Sequence, residues 1–115
     1  MTDIITLNCL LQDAPVDECF PVDISPSKTI GHLKKVISEE LGDQLHNVYA
    51  NQLLLWKVNI PYDLKEKIAN LTLDADTDDQ QKLASLKKIH HYFQDTPLDD
   101  HIHIIVQPPL GKRNY

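Results

Sequence analysis

The sequence predicts an α+β fold: a mixed sheet of four to five strands packed on one main helix, with a helical insertion between the last strands. Three observations carry that prediction. Two stretches of alternating apolar and polar residues, Ile4 to Leu11 and Cys19 to Ile24, open the chain as a pair, the pattern of half-buried strands joined as a hairpin. One long amphipathic period follows, with Ile30, Leu33, Ile37 and Leu41 at steps of three and four, the spacing that puts apolar side chains on one helix face. Two further strand-sized apolar runs, Gln52 to Val58 and His101 to Gln107, come later, separated by residues with a helical period.

Each element has a local reason. Gln12 to Glu18 brings Asp13, Pro15 and Asp17 between the first two strands, which reads as a long hairpin loop. Ser25, Pro26 and Ser27 stop the second strand, and Thr29 stands where its hydroxyl can accept a backbone N–H of the new helix. Lys34, Lys35, Glu39 and Glu40 fall mainly on the side away from the apolar stripe, and Gly42 ends the helix. The third strand is expected to stop at Asn59 and Pro61. Leu64, Ile68 and Leu71 then suggest a short helix over Asp63 to Leu71, and Leu83, Leu86, Ile89 and Phe93 a second one. Pro108 and Pro109 close the last strand, so residues 1–109 form the domain and 110–115 a flexible tail or the start of a linker. A hairpin, a helix laid across it and further strands enclosing a single core make the β-grasp arrangement.

Composition narrows the function. The chain of 115 residues is one domain in size, and its net charge of −6 repels nucleic acid unless the basic residues segregate. They gather into nothing larger than doublets such as Lys34 with Lys35 and Lys87 with Lys88, so no nucleic-acid contact is expected. No apolar run approaches the roughly 20 residues of a membrane helix. Met1 to Thr6 lacks the basic flank and apolar stretch of a secretory signal, so the chain is expected to stay inside the cell or to leave by a non-classical route.

No catalytic, metal or cofactor-binding set emerges, and no small-molecule substrate is expected. Alternation turns Cys9 inward and Cys19 outward, which argues against a disulfide. Asp74, Asp76 and Asp78 imitate a calcium loop, but Asp79 stands where glycine is needed and Ser85 where a bidentate glutamate belongs. If Ile102, Ile104 and Val106 share one face of the last strand, His101 and His103 share the other, a structural pair without the third ligand a metal needs. Neither a GxSxG nucleophile turn nor a glycine-rich phosphate loop is present. Trp56 is the most informative side chain: with Leu53 and Leu55 inward, Leu54 and Trp56 point to the opposite face. There the tryptophan is either covered by the segment Pro61 to Phe93 or forms an intermolecular contact.

Ile24-Ser-Pro-Ser-Lys-Thr-Ile-Gly-His-Leu-Lys-Lys-Val-Ile37 resembles the second strand, turn and helix start of ubiquitin, although Pro108 to Tyr115 has no Gly-Gly ending for conjugation. Three segments resemble the N-terminal domain of Crinkler effectors. Phe20-Pro-Val-Asp-Ile24 with Thr29-Ile-Gly-His-Leu-Lys-Lys35 is similar to the family's FPV strand and VGDLK helix opening. Ala50 to Asn59 occupies the place of the oomycete LFLAK element but reads Leu55-Trp56-Lys57-Val58, preceded by Leu54, as in fungal versions. His101 to Pro108 is similar to the closing HVLVVVP. The resemblance implies a ubiquitin-like fold and a non-catalytic module of a secreted effector. It implies that such a module supports secretion or translocation into host cells and contacts a protein partner or a second copy, while the variable domain that usually follows it acts inside the host cell, often in its nucleus. Leu54, Leu55, Trp56, Lys57 and Val58 are the corresponding translocation-like or interaction residues. The alternative is an intracellular ubiquitin-like adaptor of the producing organism.

Overall fold

The structure, a computed structural model, describes residues 4–12, 14–42, 48–64, 66, 80–94 and 97–108. The initial hairpin forms as the alternation predicts. Strand β1 (Ile5–Leu11) pairs antiparallel with β2 (Phe20–Ile24), Leu7 opposite Val22 and Cys9 opposite Phe20. Odd-numbered positions of β1 and even-numbered positions of β2 thereby share the face on which the helix lies.

Helix α1 (Ile30–Leu41) buries Ile30, Leu33, Ile37 and Leu41, the four residues of the sequence period. Its start is satisfied donor by donor. The N–H of Ile30 bonds the Lys87 carbonyl at 2.8 Å, that of Gly31 the Ser85 carbonyl at 2.9 Å, and that of His32 the Thr29 hydroxyl at 3.3 Å. Three of the four donors that a helix leaves unpaired at this end thus find partners outside its own ladder. His32 completes a capping box through Nδ1, 3.4 Å from the Thr29 N–H. Gly42 leaves the helix at φ 49°, a left-handed geometry that favours glycine.

Lys34 departs from the expected solvated face. It is only 5% exposed and donates from Nζ to the Ser85 hydroxyl at 2.7 Å. The segment around Ser85 leans on this side of α1, which a helical projection alone does not reveal. Burial, reinforced by the nearby Lys82 charge, holds the Lys34 ammonium below the ordinary lysine value.

A single turn of 3-10 helix, Ala50–Gln52, precedes β3 (Leu54–Pro61), so the strand begins two residues later than expected. The Gln52 side chain accepts the Tyr49 N–H at 2.9 Å, which holds that turn. The strand also continues past Asn59 to Pro61, where Pro61 faces His101. Strand β4 (Gln81–Lys82) pairs with Lys57 and Trp56 of β3. The final strand β5 (His101–Gln107) lies parallel to β1 and antiparallel to β3, giving the order β2-β1-β5-β3-β4.

The second predicted helix is a correction. Leu83 and Leu86 are not helical; α2 is confined to Ile89–Tyr92. The Leu83 N–H bonds the Leu55 carbonyl at 2.9 Å, prolonging the edge of the sheet, and residues 84–88 turn to serve the start of α1. Leu86 stands at that turn 93% exposed. The helix expected over Asp63 to Leu71 lies, except for Asp63, Leu64 and Glu66, outside the described residues, as do Asp74 to Asp79 and the tail 110–115.

Two apolar clusters hold the sheet. The larger joins Leu7, Cys9 and Val22, the α1 stripe, Leu53, Leu55, Ile89, Phe93, Ile104 and Val106. The smaller, on the other face, joins Leu10, Trp56, Val58, Ile60, Ile102 and Ile105. Ile102 therefore does not share a face with Ile104 and Val106, contrary to simple alternation. The register between β3 and β5 shifts between Lys57 and Ile60, with two residues opposite the single His103. Trp56, Val58 and Ile60 all stay in the smaller cluster, so the break in alternation falls in β5, at His103.

Candidate functional site: the tryptophan strand and the cavity beside it

Alternation along β3 divides the five segment residues between the two faces of the sheet. Leu55 is fully buried beneath α1, while Trp56 and Val58, at 4% and 2% exposed, lie in the smaller cluster. Leu54 and Lys57 are half-buried. The Trp56 indole N–H donates to the Gln107 side-chain oxygen at 2.9 Å, so its polar edge is satisfied within the chain.

Trp56 lies on the face opposite α1, as its spacing predicts, but not at the surface. Ala14, Val16 and Cys19 from the β1–β2 loop pack against its cluster. The Tyr62 hydroxyl donates to Asp17 at 2.6 Å, tying that loop to the end of β3. Among the described residues the hairpin loop supplies cover that sequence reasoning misses, while most of the segment expected to cover Trp56, residues 65 and 67–79, lies outside them. Ala14, Val16 and Cys19 are the available signal, apolar side chains set among Asp13, Asp17 and Glu18.

Lys57 points beneath the sheet on the side of Leu55. Its Nζ donates to the Tyr92 carbonyl and lies 5.0 Å from the centre of the Phe93 ring. A cation at that place closes the carbonyl end of α2 and meets the negative face of an aromatic ring. Period-two alternation from Leu55 is enough to find this inward lysine.

Beside Lys57 is a cavity of about 610 Å³ lined by residues of β3, β4, α2 and β5 and of the turn before β5, among them Asn59, Gln81, Tyr92, Leu98 and His103. His103, expected to share the face of His101 in a surface or partly buried structural role, is 4% exposed. Its Nδ1 accepts the Asn8 backbone N–H at 2.9 Å and its Nε2 meets the Leu98 carbonyl at 2.7 Å. His101 instead contacts the Asp99 carbonyl through Nδ1 at 2.9 Å, so the two rings serve different partners.

Among the described residues, no three His, Cys, Asp or Glu side chains converge as a metal would require. Both cysteines are free thiols, Cys9 buried and Cys19 half-buried. Burial, with a smaller contribution from Cys19, pushes the Cys9 thiol far up, away from the thiolate that reactive cysteines need. No helix among the described residues is long and apolar enough to cross a membrane.

Comparison with known proteins agrees with this architecture. The C-terminal ubiquitin-like domain of mouse tubulin-specific chaperone e superposes with a TM-score of 0.59 over 94% of this chain and 89% of that domain, at 15% identity. That likeness makes the fold ubiquitin-like. Crinkler effector protein 1 of Rhizophagus irregularis is 41% identical over 105 residues, which cover 91% of this chain and 22% of the relative's length. The model of the Crinkler effector protein N-terminal domain matches residues 5–107, from the first residue of β1 to the last of β5. The chain belongs to the Crinkler effector N-terminal domain family.

Proposed function

We propose that this domain is the non-catalytic N-terminal module of a Crinkler-type secreted effector, supporting secretion, translocation into host cells and protein–protein interaction there. The family match across residues 5–107 carries the reading. Further support comes from the relative, named an effector, of which this chain spans 22%. The other parts of such a protein would hold the activity delivered, while this module supplies a folded handle.

Within this reading, Leu54 to Val58 act in two ways. Leu55, Trp56 and Val58 are buried and support delivery by keeping the sheet folded. Leu54 and Lys57 retain part of their surface, and contact with a protein partner falls to them and their neighbours. Fully buried apolar side chains cannot be read by a partner without opening the sheet, at a cost of order 1.5–3 kcal/mol for each large side chain exposed.

The test is a tagged full-length protein followed in colonised tissue, with and without the N-terminal module. Tag inside host cells only when that module is present is the expected result. Delivery that is unchanged after its removal would overturn the reading, and retention of both forms in the producing cells would favour an intracellular adaptor.

A further inference from the structure

The turn before β5 is held by an unusual set of contacts. His103 bridges two segments, since its Nδ1 partner, Asn8, belongs to β1 and its Nε2 partner, Leu98, to the turn. A backbone N–H aimed at Nδ1 requires that nitrogen to carry no proton, so the neutral ring bears its single proton on Nε2 and donates it to the Leu98 carbonyl. Asp100 in the same turn has φ 61°, a left-handed conformation that strains a residue other than glycine. Its carbonyl accepts the Tyr62 N–H at 2.8 Å. Pro97 and Leu98 form one wall of the cavity, and the Leu98 side chain is 55% exposed.

We propose that His103 is an acid-sensitive latch: the neutral ring ties the 97–100 turn to β1, and proton uptake frees the turn and opens that wall of the cavity. The latch breaks on the Asn8 side. A protonated ring presents N–H at both nitrogens, so the bond from Asn8 becomes a donor-to-donor contact, while the bond to Leu98 survives. Ring and turn can then swing away from β1 about His101, whose carbonyl keeps the Asn8 side-chain N–H at 2.8 Å, and the strained Asp100 relaxes in the opened form. The new charge also gains water that the closed site denies it.

The groups around the ring mostly oppose protonation in the closed form. Burial is the largest influence and lowers the His103 value; the positive side of His101 acts in the same direction, whereas the Leu98 carbonyl and Asp99 favour the proton. Lys57 of β3 and His91 of α2 line the same cavity. The nearest described side chain of β1, Asn8, is neutral. An opened turn leaves the imidazole at its ordinary value of about 6.5. Between that value and the lowered one the open form binds more protons, so its population rises as pH falls, by up to about tenfold per pH unit.

Nitrogen NMR of the ring and amide hydrogen exchange from pH 8 to 5, on this chain and on His103→Gln, test the latch. Glutamine can accept from Asn8 and donate to Leu98 but does not titrate. The expected result is an unprotonated Nδ1 at pH 7 and a titration midpoint below about 6.5. Protection at Asn8 and residues 98–101 should fall by up to about tenfold per pH unit relative to β2, and only in the chain with His103. A cationic ring at neutral pH, a midpoint at or above that of free histidine, or protection at these amides that follows β2 at every pH would overturn the proposal. Equal losses in the glutamine form would also overturn it. If that variant does not fold, the ring titration and the comparison with β2 decide alone.

Discussion

The two faces of the sheet are both closed, but by different means. On one, a twelve-residue helix lays four large side chains against β1, β2, β3 and β5. On the other, the cluster around Trp56 meets half-buried residues of a hairpin loop, Ala14, Val16 and Cys19, steadied by the Tyr62–Asp17 hydrogen bond. A helix presents preformed ridges with its backbone bonds internally satisfied, whereas a loop contributes few side chains and depends on tertiary bonds for its shape. The comparison shows how one main helix can accompany a sheet buried on both sides. The central strand β5 is buried at every position from Ile102 to Val106, which explains its continuous apolar run.

Substitutions on each face sharpen this contrast. Leu33→Ala, beneath the helix and fully buried, should cost about 3–5 kcal/mol in urea unfolding, because its rigid walls cannot close the void. Trp56→Ala should cost about 3 kcal/mol despite removing a larger side chain, since the loop can settle into part of the gap. A Trp56→Ala cost exceeding that of Leu33→Ala by several kcal/mol would show the loop to be as unyielding as the helix. Val16→Ala should cost about 1 kcal/mol, in keeping with a half-buried cover.

The smallest change is expected at Lys34→Met, within about 1 kcal/mol of the parent at pH 7, because losing the Ser85 bond is offset by relieving a buried charge. Its pH dependence has a definite sign. Folding lowers the Lys34 value, so the unfolded chain binds more protons between that lowered value and the ordinary lysine value. The parent should gain stability relative to Lys34→Met as pH rises through that alkaline window. A difference between the two curves that stays flat, or slopes the other way, would mean that the ammonium is well solvated.

Much of this fold was legible in the sequence because local rules and tertiary packing agree over its first half. Thr29, the α1 stripe and Gly42 each satisfy a cap or a periodicity that the nearby residues can express. The pattern Leu83, Leu86, Ile89, Phe93 misled because the backbone N–H of Leu83 and the carbonyls of Ser85 and Lys87 are used by β3 and α1, partners far away in sequence. Tertiary hydrogen bonds overruled a helical period there. At the candidate site, the facing of Trp56 and Leu55 followed from alternation, as did the inward course available to Lys57. The position of His103 did not, because the register shift opposite it, where β5 breaks alternation, cannot be located by counting residues. The role of the Trp56 cover was likewise hidden in a loop whose spacing has no period.

Trp56 is the only tryptophan in the chain, so intrinsic fluorescence reads the enclosed outer face directly. The account predicts a blue-shifted native emission that acrylamide scarcely quenches and that moves to the red in one step with urea unfolding. Native emission at the wavelength of free tryptophan, fully open to quencher while the helix signal is intact, would contradict it.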